Sequence, residues 1–171
     1  DIKLALNVSA ASFGDLAFPD LLERFAATEG IAPARLILEV TERTALDHVT
    51  SIGERVASLR ALGYRIAIDD LGAGYAALSA LVAIRPDVVK LDMSLVRGVE
   101  RDEVRRGVIT SVVSMCRELG IWTVAEGIET EPELAVIGEL GCDLVQGYLI
   151  GKPTRIDVAP HGAASNPVGA R

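Results

Sequence analysis

The chain has 171 residues, half of them hydrophobic, and a formal net charge of −7. This composition excludes a disordered protein and predicts one domain with a sizeable core. The negative charge argues against general binding to DNA, RNA or an anionic membrane, because such binding needs clustered Lys and Arg. No apolar run approaches the roughly 20 residues that span a bilayer, and no signal-peptide pattern is present, so we expect a cytoplasmic protein.

Short apolar runs alternate with segments of helical periodicity along the chain. We expect a first strand within residues 2–8, followed by strands at 36–40, 65–68, 88–91, 122–125 and 144–148. The apolar spacing predicts helices at 13–30, about 47–62, about 76–84, about 102–119 and about 131–140. Residues 154–171 are rich in Pro, Gly and Ala, and we expect them to form a flexible tail.

This alternation is typical of βαβ units and predicts an α/β protein with a parallel sheet. A (β/α)8 barrel usually takes about 250 residues, so six units predict a TIM-like barrel truncated to about six β/α units. A doubly wound sheet would give the same alternation, but it normally has a glycine-rich first turn, and residues 9–12 read SAAS. The chain starts at Asp1 rather than Met, so we expect it to begin inside a longer protein.

Polar side chains follow the predicted strands, where a parallel barrel collects its catalytic residues. Asn7, Glu39, Asp69 and Asp70 form an all-oxygen set, which suits Mg²⁺ or Mn²⁺ better than zinc. Side chains alternate along a strand, so both aspartates can face one site only if the strand ends before them. Two carboxylates in sequence then predict a site for two metal ions, as in phosphoryl displacement.

Lys90 ends an apolar strand, where an unpaired ammonium is costly to bury. We therefore expect either a salt bridge with Asp92 or a neighbouring carboxylate, or a role in orienting a water or a phosphate oxygen. Glu126 is a candidate general base or second-metal ligand, and Gln146 could hold a water through its amide.

Further polar and aromatic residues lie beyond the strand ends. Glu42 and Glu129 are expected to stabilise loops by accepting backbone N–H bonds. Tyr75 and Tyr148 could contact a base or serve in packing. Cys116 and Cys142 lack CxxC spacing and are expected to be reduced packing residues.

Six ordered motifs resemble those of one known family, the EAL domain. They are LNVSA at 6–10, LEVTE at 38–42, IDDLGAGYAAL at 68–78, VVKLDMSLV at 88–96, VAEGIET at 124–130 and QGYLIGKP at 146–153. The resemblance implies an EAL-type domain over residues 1–153, with a modified (β/α)8 barrel in which one strand runs antiparallel. It also implies hydrolysis of cyclic di-GMP to linear pGpG with Mg²⁺ or Mn²⁺.

The resemblance implies a role for each matching residue. It assigns metal ligation to Asn7, Glu39, Asp69 and Asp70, and catalysis to Lys90, Glu126 and Gln146, with Lys90 positioning the water. It assigns loop stabilisation to Glu42 and Glu129, and substrate contacts to Asp92, Tyr148 and Pro153. The expected partners are cyclic di-GMP, a second copy of the chain in a homodimer, and upstream sensor or GGDEF-type domains.

One departure from the family pattern bears on activity. The Glu-Ala-Leu signature, whose glutamate would be a first-metal ligand, is not in this sequence. We therefore expect a fragment with impaired activity on its own. A non-catalytic cyclic di-GMP receptor or interaction module is the alternative function, and an enolase-like barrel with Lys90 as base is a third interpretation.

Overall fold

The computed structural model describes residues 2–41, 52–73 and 77–154. Their strands form a single parallel sheet: β1 Leu4–Asn7, β2 Leu36–Thr41, β3 Arg65–Leu71, β4 Val88–Leu91, β5 Trp122–Ala125 and β6 Leu144–Val145. The strand order in space equals the order in the chain. A doubly wound sheet would reverse its order at a switch point, so this curled sheet is half of a TIM-like barrel, and the predicted fold class is confirmed.

Helices connect these strands: α1 Ala10–Gly14, α2 Phe18–Thr28, α3 Ile52–Ala61, α4 Ala77–Ile84, α5 Met93–Val96, α6 Glu103–Glu118 and α7 Glu131–Glu139. The single helix predicted at 13–30 is wrong, because the chain forms two helices there. Asp15 is extended and accepts the N–H of Ala17 at 2.9 Å, and Pro19 lies in the first turn of α2. Of the helix predicted at 47–62, residues 47–51 lie outside the described residues.

Two predicted strand ends also differ from the structure. Strand β3 continues past residue 68 to Leu71, through a β-bulge. Strand β6 ends at Val145 rather than residue 148, because Gly147 comes close to the backbone of Ile128 and the chain turns there. The predicted tail lies outside the described residues from position 155 onward.

The core lies between the sheet and the helices that cover it. Strand residues such as Leu38, Ile66, Ile68 and Leu91 are fully buried, as expected for parallel strands with both faces covered. The helices contribute one apolar face each: Leu22 and Ala26 from α2, Val56 and Leu59 from α3, Ile109 and Val113 from α6, and Ile137 from α7. No helix among the described residues is long and apolar enough to cross a bilayer.

The two cysteines are free thiols, as the sequence predicts. Cys116 is buried on α6, and burial raises the pKa of its thiol to about 11. At pH 8 about one Cys116 thiol in a thousand is therefore ionised, and thiolate is the reactive form. We expect iodoacetamide to modify Cys116 in the native protein far more slowly than in urea, as followed by mass spectrometry. Equal rates in the two conditions would contradict a buried Cys116.

Candidate active site

Strand ends of the half-barrel bring one lysine and three carboxylates together. Lys90 on β4 places its Nζ 2.8 Å from Glu126 Oε1, 2.9 Å from Asp69 Oδ1 and 3.1 Å from Glu39 Oε2. The Lys90 side chain is 9% exposed. We call these four residues the Lys90 cluster. They come from β2, β3, β4 and the position just after β5, so adjacent units of the sheet build a single site.

The electrostatics of the Lys90 cluster keep the ammonium charged. Burial alone would lower the pKa of Lys90, but hydrogen bonds to Glu126, Asp69 and Glu39 outweigh it and hold the pKa well above its ordinary value. Burial raises the pKa of Glu126, although the hydrogen bond from Lys90 opposes the shift. The expectation that a buried Lys90 would have acidic neighbours is thus met by three carboxylates.

A β-bulge explains how Asp69 and Asp70 can face the same site. Ile68 pairs with Val89 and Leu71 pairs with Leu91, so two residues of β3 lie opposite the single residue Lys90. Asp70 has a φ of +57°, in the left-handed region that Asp tolerates better than most residues. The expectation that the strand must end before this pair is therefore wrong, because the bulge breaks the alternation within the strand.

The carboxylates offer a cluster that could hold a metal ion. One oxygen each from Asp69, Asp70 and Glu126 lies within 4.8 Å of the others. Burial first, and then the charges of Asp69 and Asp92, raise the pKa of Asp70, as expected where anions crowd together. Hard oxygen donors of this kind fit Mg²⁺ or Mn²⁺, and a cation would relieve their repulsion.

Two further predicted metal ligands belong to the first strands. Asn7 is the last residue of β1, and its register partner is Glu39, which lies within β2 two residues before its end. Glu39 is buried and bonded to Lys90, whereas Asn7 is exposed. Because Glu39 belongs to the Lys90 cluster, its register partner Asn7 lies beside that cluster at the same edge of the sheet. Glu42 and Tyr75 lie outside the described residues.

The remaining predicted residues lie on loops at this edge. Asp92 caps α5, where its Oδ1 accepts the N–H of Ser94 at 2.9 Å. Gln146 is exposed just after β6. Its backbone N–H donates to the carbonyl oxygen of Ala125, and its carbonyl oxygen accepts the N–H of Ile128. Tyr148 is 60% exposed, with Lys152 Nζ 5.7 Å from its ring centroid. Pro153 is also exposed.

The loop that carries Gln146 depends on a glycine. A Cβ at Gly147 would lie 2.1 Å from the carbonyl oxygen of Ile128 and 2.3 Å from its nitrogen. Since backbone atoms cannot move aside cheaply, we expect Gly147→Ala to lower the free energy of unfolding by about 1–3 kcal/mol in urea titrations. Gly151→Ala is the matched control, because its Cβ would meet nothing within 4 Å. A Gly147→Ala protein as stable as this control would contradict the close approach.

Glu133 is a residue of this region that the sequence interpretation missed. It is 4% exposed, and its Oε2 accepts the N–H groups of Glu129 and Thr130 while its Oε1 accepts the N–H of Gly98. Thr130 and Glu133 form a capping box at the start of α7. The spacing Thr-x-x-Glu before an apolar run is the signal that could have revealed it. Glu129 forms an ion pair with Arg97, and its predicted role in the loop stays a prediction.

A family model described as the EAL domain matches residues 1–153. The chain belongs to the EAL domain family. It is 35% identical over 151 residues to the cyclic di-GMP phosphodiesterase PdeF of Escherichia coli, covering 88% of this chain and 20% of PdeF. It is 33% identical over 152 residues to the cyclic di-GMP phosphodiesterase RocR of Pseudomonas aeruginosa, covering 89% of this chain and 39% of RocR. The chain thus spans well under half of these relatives.

Solved EAL structures share the fold. BlrP1 of Klebsiella pneumoniae, in complex with calcium and cyclic di-GMP, matches with a TM-score of 0.82 at 34% identity, covering 86% of this chain and 38% of BlrP1. BlrP1 has also been solved with manganese and cyclic di-GMP. The EAL domain of DcpA from Mycobacterium smegmatis matches with a TM-score of 0.84 at 29% identity, covering 89% of this chain and 68% of that chain.

Proposed function

We propose that this chain is part of a cyclic di-GMP phosphodiesterase, which hydrolyses one phosphodiester bond to give linear pGpG. The observation that supports this most is the Lys90 cluster. Its buried ammonium can stabilise negative charge, and the carboxylates around it, two of which also belong to the possible metal-binding group, offer a proton acceptor. The EAL relatives named as cyclic di-GMP phosphodiesterases supply the substrate class.

We propose that the side-chain oxygens of this site hold Mg²⁺ or Mn²⁺, with Asn7, Glu39 and Asp69 at one ion and Asp70 at a second. When bound, such ions supply an acidic water and offset the charge that develops on the phosphodiester oxygens. The fit depends on the oxygen donors of Asp69, Asp70 and Glu126. The manganese and calcium complexes of BlrP1 with cyclic di-GMP support a divalent cation at this site.

The chain's own residues would then orient the attacking water and accept its proton. Lys90 holds the carboxylates of Glu126 and Asp69 in place, and its positive charge would offset the negative charge of the phosphate. Burial raises the pKa of Glu126, which makes it a better proton acceptor than an exposed glutamate. Gln146, beside Ala125 and Ile128, would support the attacking water through its amide.

The other assignments are proposals of the same kind. Asp92, Tyr148 and Pro153 would contact the nucleotide from the loops around the site, and Glu42 and Glu129 would stabilise those loops. A homodimer and attached sensor or GGDEF-type domains also belong to this proposal. The relative MucR of Pseudomonas aeruginosa, named as both a diguanylate cyclase and a cyclic di-GMP phosphodiesterase, supports the second of these. A cytoplasmic location stays a prediction.

The test is product formation by the whole protein that the gene encodes. We expect cyclic di-GMP to give pGpG in the presence of Mg²⁺ or Mn²⁺, as resolved by chromatography, and we expect EDTA to stop the reaction. The 171-residue chain is assayed beside it, and we expect it to be less active. Binding of cyclic di-GMP by the whole protein without hydrolysis would overturn the enzymatic proposal in favour of a receptor.

A further inference from the structure

Beyond the residues of the site itself, one buried carboxylate joins two connections of the half-barrel. Glu133 lies on α7 and is 4% exposed. Its Oε2 is 3.0 Å from the nitrogen of Glu129 and 3.1 Å from that of Thr130, whereas its Oε1 is 3.1 Å from the nitrogen of Gly98. Glu129 and Thr130 follow β5, and Gly98 follows α5. One side chain therefore bonds two segments that are more than 30 positions apart.

These bonds favour the ionised form of Glu133. Burial alone would raise the pKa of the carboxyl, but the backbone N–H groups of Glu129, Gly98 and Thr130 outweigh it and lower the pKa. Three charge-assisted N–H bonds fix the orientation of the buried carboxylate and the positions of the backbone groups that donate to it. Arg97 adds a second link between the same segments through its ion pair with Glu129.

The segment that Glu133 holds also carries the proposed catalytic side chain. Residues 126–130 begin at Glu126, whose N–H donates to Leu91 O at 3.1 Å. In the middle, the N–H of Ile128 donates to Gln146 O at 3.1 Å. The segment is thus fixed to β4 and to the Gln146 loop through residues 126 and 128, and to Glu133 through residues 129 and 130.

We propose that Glu133 is a positioning residue, which holds segment 126–130 so that the Glu126 carboxylate stays against Lys90. This inference rests on the proposed function for its effect on catalysis. Without Glu133, the segment loses the acceptor for the N–H groups of Glu129 and Thr130, as well as its link to Gly98, and Glu126 loses part of its orientation. A displacement of about 1 Å in a catalytic group can cost on the order of 100-fold in rate.

Two substitutions separate the contacts of Glu133. Glu133→Ala removes all three acceptors. Glu133→Gln keeps one amide oxygen, which can accept from Glu129 and Thr130 as capping boxes with Gln do, but its NH2 group faces the N–H of Gly98. Glu131→Gln is the matched control, because Glu131 lies in the same first turn of α7 and is exposed.

The experiment measures steady-state kinetics and amide hydrogen exchange on the whole protein, with the folded fraction determined by circular dichroism. For Glu133→Ala we expect kcat per folded molecule to fall about tenfold or more with KM changed less than about twofold. Glu133→Gln should recover most of the lost rate, and Glu131→Gln should match the unaltered protein. Exchange should accelerate at Glu126 and Ile128 in Glu133→Ala, although neither amide bonds to Glu133.

Two results would overturn the proposal. One is a folded Glu133→Ala protein with unaltered kcat, and the other is faster exchange confined to the three amides that bond to Glu133. If the unaltered protein hydrolyses no cyclic di-GMP, the proposed function fails. The exchange at Glu126 and Ile128 then decides the positioning role alone.

Discussion

Replacing Lys90 by Met is expected to lower both the stability of the protein and its activity. The substitution leaves Glu39, Asp69 and Glu126 mutually close without their shared cation. Removing one partner of a buried ion pair typically costs about 3–5 kcal/mol, since the remaining charge is desolvated and uncompensated. The side chains here are 9–17% exposed, which places the expected loss at the lower end, about 3 kcal/mol.

Urea unfolding at neutral pH without divalent ions measures this loss, and pGpG formation measures the activity. We expect hydrolysis to fall at least about 100-fold, the typical effect of removing one group that stabilises transition-state charge. Lys3→Met is the control, because Lys3 is exposed, and its stability should stay within about 0.5 kcal/mol. A Lys90→Met protein with unaltered stability would show that the three ion pairs contribute nothing.

Replacing Glu126 by Gln is expected to remove activity while sparing stability. The amide oxygen can still accept the hydrogen bond from Lys90, but it cannot take up a proton. Because burial raises the pKa of Glu126, the folded protein disfavours its ionised form, and a neutral side chain removes that penalty at pH 7. We therefore expect stability equal to or above that of the unaltered protein, and hydrolysis lower by about 100- to 10,000-fold.

The kinetic assay is run beside calorimetric binding of cyclic di-GMP, which should change little. Glu139→Gln serves as the control, since Glu139 is an exposed residue in the last turn of α7. Hydrolysis by Glu126→Gln at the control rate would exclude Glu126 as the base. The contrast with Lys90→Met is informative, because one substitution should affect folding and catalysis together and the other catalysis alone.

Much of the fold could be predicted from the sequence because the parallel strands are short and nearly continuous apolar runs. The runs at 36–40, 88–91 and 122–125 coincide with β2, β4 and β5 to within one residue. The errors lie where a local feature overrides periodicity. The extended backbone of Asp15 divides one predicted helix, and the close approach of Gly147 to Ile128 ends β6 early.

The candidate site was predictable in composition but not in arrangement. A lysine at the end of an apolar strand requires carboxylates, and the sequence offers several at neighbouring strand ends. Which of them approach it depends on register, and the bulge opposite Lys90 could not be derived from alternation. Glu133 lies on a helix rather than at a strand end, so reasoning from strand ends alone passed over it.

The bulge also restricts which residues position 70 can accept, independently of metal chemistry. Its φ of +57° favours Asp, Asn and Gly over other residues, whereas the proposed ligand role requires a carboxylate. Glutamate supplies the carboxylate but is poorly suited to the left-handed backbone conformation. Asparagine suits that conformation but has no carboxylate. Aspartate alone satisfies both, so a comparison of Asp70→Asn with Asp70→Glu would separate the contribution of the backbone conformation from that of the negative charge.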